Sequence, residues 1–550
     1  MIRRSFSIAL LLLLPLSPVL AQAPARSISH PALVEISMPQ AQTVATNWVA
    51  LIVQAEGHWA GQTVVDVQPG QELSRAGRLL GYFCPVKPRG YVVTSLFTAL
   101  TPVKIYSDED DVDPIRDDGM AGFIKDELQR MQDGLLAYAQ DLPAATPDDL
   151  AATLEEDERV DWATLSMEPA RFLQTQATVA ALRNYQSRTW MLQTDWHQGE
   201  PFNRMTPPGL NNHRTLVGCV ALAAAQIMYY WGWPPSGEGI HIDPWDGDGD
   251  TTGEDTCADG QGGTLVPAAS LLRDYDDTYD WAHIPITYTL SGGQWEDGYG
   301  HDLTNTHLDA VAELCYEIGV AVNMDYGVCS SGISPEGVAS GMPEAYASHF
   351  RYSSPTPRYR NEAGMTGVGW FNVITSTLNQ NRPIQYVIRY PDGSGHCIVA
   401  DGWQEFGSPV NDREYHMNYG WQGNASDAWY NLDQLPQSVL NQEFMLVGIV
   451  PDNALGATLS GTYAPQNLFN YRYFDRDASG SNVTFTGPQN LQFLPGVRVT
   501  ASSGMVRFYN SSTGALNLFS RGDLDRGIRI AANTAGGAVR IRAGGAVVLH

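Results

Sequence analysis

The stretch that most constrains this chain is Gly218-Cys219-Val220-Ala221-Leu222-Ala223-Ala224-Ala225-Gln226-Ile227-Met228-Tyr229-Tyr230-Trp231. Its alanines and leucine predict a helix beginning at or beside the cysteine. Gly218 lets the entering backbone turn and lets another segment approach closely. A cysteine there meets unpaired N–H groups and the positive end of the helix dipole, and both stabilise a thiolate. Taken alone, the stretch reads first as a small buried cysteine opening a core helix. Partners elsewhere in the chain must make it a nucleophile.

The chain has 550 residues, room for roughly three or four domains with their own cores. Its 33 basic and 60 acidic side chains give a net charge of −27, which repels phosphates and argues against a nucleic-acid partner. Arg3-Arg4, an apolar run through Leu14 and small residues near Ala21-Gln22-Ala23 predict a signal peptide over 1–23. That run is too short to span a bilayer and no later stretch is apolar enough, so an exported, soluble protein is expected. Export permits disulfides. The cysteines are Cys84, Cys219, Cys257, Cys315, Cys329 and Cys397; none are spaced C-x-x-C, which gives a zinc or thioredoxin-like site little support. If Cys219 stays reduced and the segment with Cys84 is removed, four remain and three pairings are open.

Residues 24–165 read as one α+β unit. Val44, Trp48, Leu51 and Ile52 mark a helix over 41–53; Leu79-Phe83, Tyr91-Thr94 and Val103-Tyr106 read as strands; 123–139 is an amphipathic helix. The acidic run 108–113 is expected to be a solvated loop, and 143–158 is linker-like. From about 185 to 453 the pattern is a helix early, a second helix over 307–318 and antiparallel strands late. Within it, Asp246-Gly247-Asp248-Gly249-Asp250-Thr251-Thr252-Gly253-Glu254 alternates carboxylates with glycines. As a calcium loop it lacks Gly at the sixth position and has Cys257 where the bidentate Glu belongs, so a solvated acidic loop is the expectation. Beyond about 455, nine Arg face four Asp and Glu disappears, while short alternating runs such as Val483-Thr484-Phe485 and Val539-Arg540-Ile541-Arg542 recur between Pro and Gly turns. That predicts an all-β module of stacked short strands, solenoid or sandwich. Its outward Arg residues read as a solvated face; their functional counterpart is a site for acidic surface glycans or for the chain's own acidic domains.

A thiolate nucleophile needs a base, and the base needs an orienting group. His396 lies in Gly393-Ser394-Gly395-His396-Cys397-Ile398-Val399-Ala400-Asp401-Gly402, where glycines allow close approach and a buried strand would hold the imidazole. Asn418 lies in Tyr415-His416-Met417-Asn418-Tyr419-Gly420-Trp421; its oxygen could accept the imidazole Nδ1–H, with Trp421 covering the pair. His416 competes as base, because alternation puts it on the face of Asn418. Gln198, in Trp196-His197-Gln198-Gly199-Glu200-Pro201-Phe202-Asn203, could complete an oxyanion hole with the Cys219 N–H.

Gly218-Cys219-Val220-Ala221 with Ala225-Gln226-Ile227-Met228 and Trp233-Pro234 resembles the nucleophile helix of the streptopain-type cysteine peptidases, secreted bacterial enzymes of papain-like fold. Further segments follow in the family's order: Trp196-x-Gln198-x-x-Pro201-Phe202-Asn203, Thr278-Tyr279-Asp280-Trp281, Ala321 to Tyr326, Gly395-His396 with Val399-x-Asp401-Gly402, and Asn418-x-Gly420-Trp421-x-Gly423. The resemblance covers about 185–452. It implies Cys219 as nucleophile, His396 as base, Asn418 as orienter, Gln198 as oxyanion donor and Trp421 in support. It departs at Tyr419, where the family commonly has Trp, and at Cys397, a second thiol directly after the base. Gly81-Tyr82-Phe83, Gly90 to Thr94 and Pro102-Val103-x-x-Tyr106-Ser107 resemble the family's inhibitory propeptide. Leu491-x-x-Leu494-Pro495-Gly496-Val497 resembles short C-terminal β-stack modules.

The expectation is therefore an α+β chain in five parts. A signal peptide (1–23) and an α+β propeptide (24–165) lead through a processing linker (166–185) to a papain-like peptidase domain (186–453) and an all-β C-terminal module (454–550). Its function would be that of a secreted cysteine endopeptidase made as a zymogen, acting on protein or peptide substrates, inhibited by its own propeptide and needing no metal or organic cofactor. The alternative is a catalytically inactive peptidase fold that binds a surface through the β module.

Overall fold

The computed structural model describes residues 33–140, 162–176, 190–234, 236–248, 266–380, 382–389, 395–406, 412–421, 427–431 and 443–451, and the backbone of eleven strand segments between 462 and 549. The expected signal peptide, the linker-like 143–158 and residues 177–185 of the expected processing region lie outside the described residues.

One antiparallel sheet of eleven strands organises residues 66–447. In chain order these are β1 Asp66–Val67, β2 Gln71–Arg75, β3 Arg78–Lys87, β4 Tyr91–Ser95, β5 Val103–Ser107, β6 Thr356–Tyr359, β7 Ile384–Arg389, β8 Gly395–Phe406, β9 Asp412–Asn418, β10 Asp427–Asn431 and β11 Glu443–Val447. They lie side by side in the order β1-β3-β4-β5-β10-β9-β8-β7-β11-β6, with β2 also on β3. The three strands expected before residue 110 are β3, β4 and β5. They do not form a sheet by themselves: β5 pairs with β10, with Tyr106 opposite Trp429 and Ile105 opposite Tyr430. The N-terminal unit and the later strands form one sheet.

Helix α1, Met38–Glu56, starts on a Ser37–Gln40 capping box and ends at Gly57 with φ 85°. It buries Val44, Trp48, Leu51 and Ile52 as the periodicity predicts. Helix α2, Gly119–Gln140, buries Phe123, Ile124, Leu128, Met131 and Leu135. Helix α3, Cys219–Trp231, lies in the main core, packed against β8 and against helix α4, Asn305–Ala321. Each large apolar side chain so buried is worth roughly 1.5–3 kcal/mol.

Polar groups close the junction of β5 and β10. The buried Lys104 Nζ donates to the Asn431 carbonyl at 3.0 Å and sits 3.8 Å over the Tyr430 ring. Tyr430 Oη donates to Glu127 at 2.6 Å, and Arg130 pairs with Glu127 at 2.7 Å. The run 108–113 is only in part the solvated loop expected from its charge, for Asp111 and Asp113 are exposed but Asp108 is not. Asp108 is buried and accepts the Ala60 N–H, Asp110 accepts the Asp427 N–H at 2.8 Å, and Asp111 accepts the Gly90 N–H at 2.8 Å. A backbone N–H thus satisfies one oxygen of each of these carboxylates. The acidic run 246–254 is described only to Asp248, which is also buried, its Oδ2 accepting from Leu210 N–H at 2.7 Å and Val328 N–H at 3.3 Å.

The C-terminal strands pair only in parallel, in three stacks. Val483–Gly487, Met505–Asn510 and Ala538–Arg542 are successive rungs of one. Repeated parallel rungs make a solenoid and set aside the sandwich. Among the described residues, no helix is long and apolar enough to cross a membrane.

Candidate active site

Gly218 enters α3 at φ 85°, ψ 135°, where a side chain is strained. A β-carbon there would lie 2.6 Å from the Met324 sulfur, so only glycine lets the chain reach this depth. Cys219 is therefore the first helical residue, half-buried, while residues 220–228 behind it are buried. Its thiol stands at the end of the helix where N–H groups lack intrahelical acceptors. Cys84, Cys219, Cys315 and Cys397 are thiols, and Cys329 is disulfide-bonded. A two-bridge scheme over the last four non-nucleophilic cysteines does not form, because two of them, Cys315 and Cys397, are reduced and buried.

His396 is the second residue of β8. A β-carbon on Gly395 would meet the Ile388 carbonyl oxygen at 2.6 Å, so β7 and β8 close up there and fix the imidazole's base. The ring is buried, stacked on Trp421 with centroids 4.3 Å apart and planes 7° apart. Its Nε2 lies 3.1 Å from the Tyr419 carbonyl oxygen. A carbonyl only accepts, so Nε2 carries the hydrogen and Nδ1 keeps the lone pair. Burial pushes the imidazole pKa down to about 4 despite that carbonyl, so the ring is neutral near pH 7.

The expected contact between Asn418 and the imidazole differs in the structure. Asn418 is buried with Nδ2 donating to the Thr194 carbonyl at 2.9 Å and Oδ1 accepting the Gly420 N–H at 3.1 Å. The carbonyl of the next residue, Tyr419, holds the imidazole instead, and through Nε2 rather than Nδ1. Asn418 shapes the turn that presents that carbonyl. The rival base is occupied elsewhere: His416 Nδ1 pairs with Asp401 at 2.7 Å, and its ring stacks on Trp190 with centroids 4.3 Å apart. Gln385 Nε2 lies 3.4 Å from the Cys397 sulfur and donates to the Val220 carbonyl at 3.1 Å. Cys397 also belongs to the lining of the cleft that Cys219 and His396 share, and burial raises its pKa, which disfavours its thiolate.

Cys219, His396 and Gln198 line one cleft of about 690 Å³; Asn418 and Trp421 are not part of its lining. One participant was invisible in the sequence. Phe123 of α2 packs on this cluster, with ring centroids 4.8 Å from Tyr419, 5.9 Å from Trp421 and 6.3 Å from His396. Sequence periodicity marks Phe123 only as one apolar position of an amphipathic helix, and no local pattern names its distant partner.

A thiol at a helix N-terminus, a lone-pair imidazole nitrogen and a carboxamide around one cleft form an apparatus for acyl transfer. Residues 196–430 match the model of the Peptidase C10 family. This segment is a Peptidase C10 domain. Thiol protease/hemagglutinin PrtT of Porphyromonas gingivalis is 27% identical over 236 residues, covering 43% of this chain and 22% of that protein. Streptopain of Streptococcus pyogenes is 29% identical over 255 residues, covering 44% of this chain and 55% of the relative. The chain thus spans about half or less of the length of these curated relatives. A fragment of prointerpain A from Prevotella intermedia aligns at 20% identity with a TM-score of 0.46, over 70% of this chain and 99% of the fragment. The streptopain-type resemblance read from the motifs holds for the C10 domain, whose matched span contains Gln198, Cys219, His396 and Asn418.

Proposed function

We propose that this chain is the zymogen of a secreted bacterial cysteine endopeptidase. In this reading 1–23 directs export, 24–165 is the inhibitory propeptide, 166–185 holds the processing site, 186–453 is the enzyme and 454–550 is an accessory β module. One observation carries it: Cys219 at the start of α3 and His396 on β8 line the same cleft with Gln198.

In the reaction, His396 takes the Cys219 proton and the thiolate sulfur bonds to the peptide carbonyl carbon. The Cys219 N–H and the Gln198 carboxamide hold the oxyanion. Its collapse breaks the C–N bond, with the amine leaving on the proton held by His396. Water, deprotonated by His396, then cleaves the thioester and returns the thiol. Latency follows from Phe123, which packs against an imidazole that is buried and neutral and therefore poorly suited to hold a proton.

The full chain and its Cys219→Ala variant, treated with an epoxide thiol probe and mapped by mass spectrometry, test this. Labelling of Cys219 in processed protein, with peptide cleavage lost in the variant, is expected. Processed protein whose reduced Cys219 neither labels nor supports cleavage would overturn the reading.

A further inference from the structure

Beside the reactive cleft is a second groove of about 590 Å³, lined by Glu200, Asn203, Arg204, His213, Arg214 and Val328. Its walls are continuations of the cleft's own. Gln198 lines the cleft and Glu200, two residues on, lines the groove, a step of at most about 7 Å. Ser330 and Ser331 line the cleft, and Val328 of the same segment lines the groove. Hydrogen bonds tie these segments together just ahead of Cys219: Val217 N–H to the Gln198 carbonyl and Leu216 N–H to the Gly327 carbonyl, both at 3.0 Å. A peptide whose carbonyl lies between Cys219 and Gln198 thus has a neighbouring residue at the groove.

The lining leaves one chemical demand unmet among the described residues, and it is charge. Arg204 is engaged by Asp309 at 3.2 Å and by Asn305 at 3.3 Å. Arg214 donates to the Thr206 carbonyl at 2.5 Å but meets no carboxylate among the described residues, and the exposed His213 stands next to it. Glu200 is the single acidic side chain of the lining. In a chain of net charge −27, an arginine that meets no carboxylate among the described residues, beside the reactive cleft, is a candidate anion subsite.

We propose that the groove receives an acidic residue of the peptide substrate next to the scissile bond, Arg214 with His213 taking its carboxylate. The inference rests on the peptidase reading above and adds to it a substrate class. Arg214 faces solvent, so the preference is modest, about three- to tenfold, the size of an exposed ion pair reinforced by directed hydrogen bonds.

The test uses processed enzyme and quenched peptides that differ only by Glu or Gln at each of four positions flanking the cleaved bond. Expected is a Glu:Gln ratio in kcat/KM of about three to ten at one position adjoining that bond, decreasing as salt is added. Arg214→Gln should bring the ratio near one, and Glu200→Gln, which removes the like charge, should raise it. Cleavage with a ratio near one at every position, or a ratio indifferent to both substitutions, overturns the subsite and leaves the peptidase standing. Absence of cleavage together with an unlabelled Cys219 overturns both. Glu200→Gln keeps the test decisive if Arg214→Gln fails to fold.

Discussion

Phe123→Ala is the substitution that most directly probes latency. The phenyl ring is buried and meets three rings of the later strands, those of Tyr419, Trp421 and His396. Truncating a buried Phe costs roughly 3–5 kcal/mol. Aromatic pairs contribute about 0.5–1.5 kcal/mol each beyond burial, so these three contacts account for much of it. If they hold α2 over the imidazole, the opened fraction rises by about a hundredfold or more, since each 1.4 kcal/mol is a factor of ten. The assay is the initial rate of Cys219 labelling by an epoxide probe in unprocessed protein. A control at Phe97→Ala removes an equally buried ring whose core cluster contains none of the three partners. Faster labelling in Phe123→Ala than in the control is expected, by at least tenfold. Equal rates in both variants would refute the argument, because the effect would then be general loosening rather than release of His396.

Acid should remove the contribution of the neutral His396 to the latent form. His396 has an ordinary pKa of 6.5 and a folded value of about 4, so the unfolded chain binds a proton that the folded chain refuses; stability is full above 6.5 and is lost as pH falls to about 4, by about 3 kcal/mol. Buried Asp412, Glu414 and Asp427 are shifted upward, which works in the opposite direction, their contribution being lost as pH rises. The readout is therefore a difference: from pH 6.5 to 4.5 the thermal midpoint of the Cys219→Ala protein should shift further downward than that of the protein that also carries His396→Gln, and identical slopes in the two would count against the assignment. Lys104→Ala removes the buried ammonium from the Asn431 carbonyl and Tyr430 ring, at about 1–3 kcal/mol. It should hasten processing and lower the zymogen's melting point without altering mature enzyme, and a change confined to mature enzyme would contradict the proposed boundary. Gly218→Ala combines a strained φ of 85° with a 2.6 Å approach to Met324, and should lower stability and labelling of Cys219 even after processing. Wild-type labelling in that variant would mean that the entry to α3 is less constrained than the geometry requires.

The candidate reacting groups were legible because each sits in a local pattern with a physical meaning. Glycine before an Ala-rich helix marks Cys219, and glycine before a buried strand marks His396. Gln198 and Asn418 needed the motif context, and Asn418 shows where local reading stops. Its identity was right for a turn next to the base, yet the hydrogen bond belongs to the backbone of Tyr419, and backbone atoms have no sequence signature. Charge was an incomplete guide in the same way at 108–113, where acidity suggested solvent and three carboxylates, one of them buried, also bind N–H groups contributed by Ala60, Gly90 and Asp427. Phe123 and the pairing of β5 with β10 join residues roughly three hundred positions apart, a range at which periodicity carries no information.

The β5–β10 pairing has a consequence for any cleavage that frees the N-terminal unit. It is short, with Tyr106 and Ile105 opposite Trp429 and Tyr430, so few main-chain bonds resist parting. Once it parts, β10 becomes an outer strand with unpaired N–H and C=O groups and, around it, the buried Trp429 and Tyr430 newly facing water. The molecule that emerges would carry an adhesive border its precursor lacks, one that recruits a second strand, of its own kind or another's, unless its turns fold over to cover it.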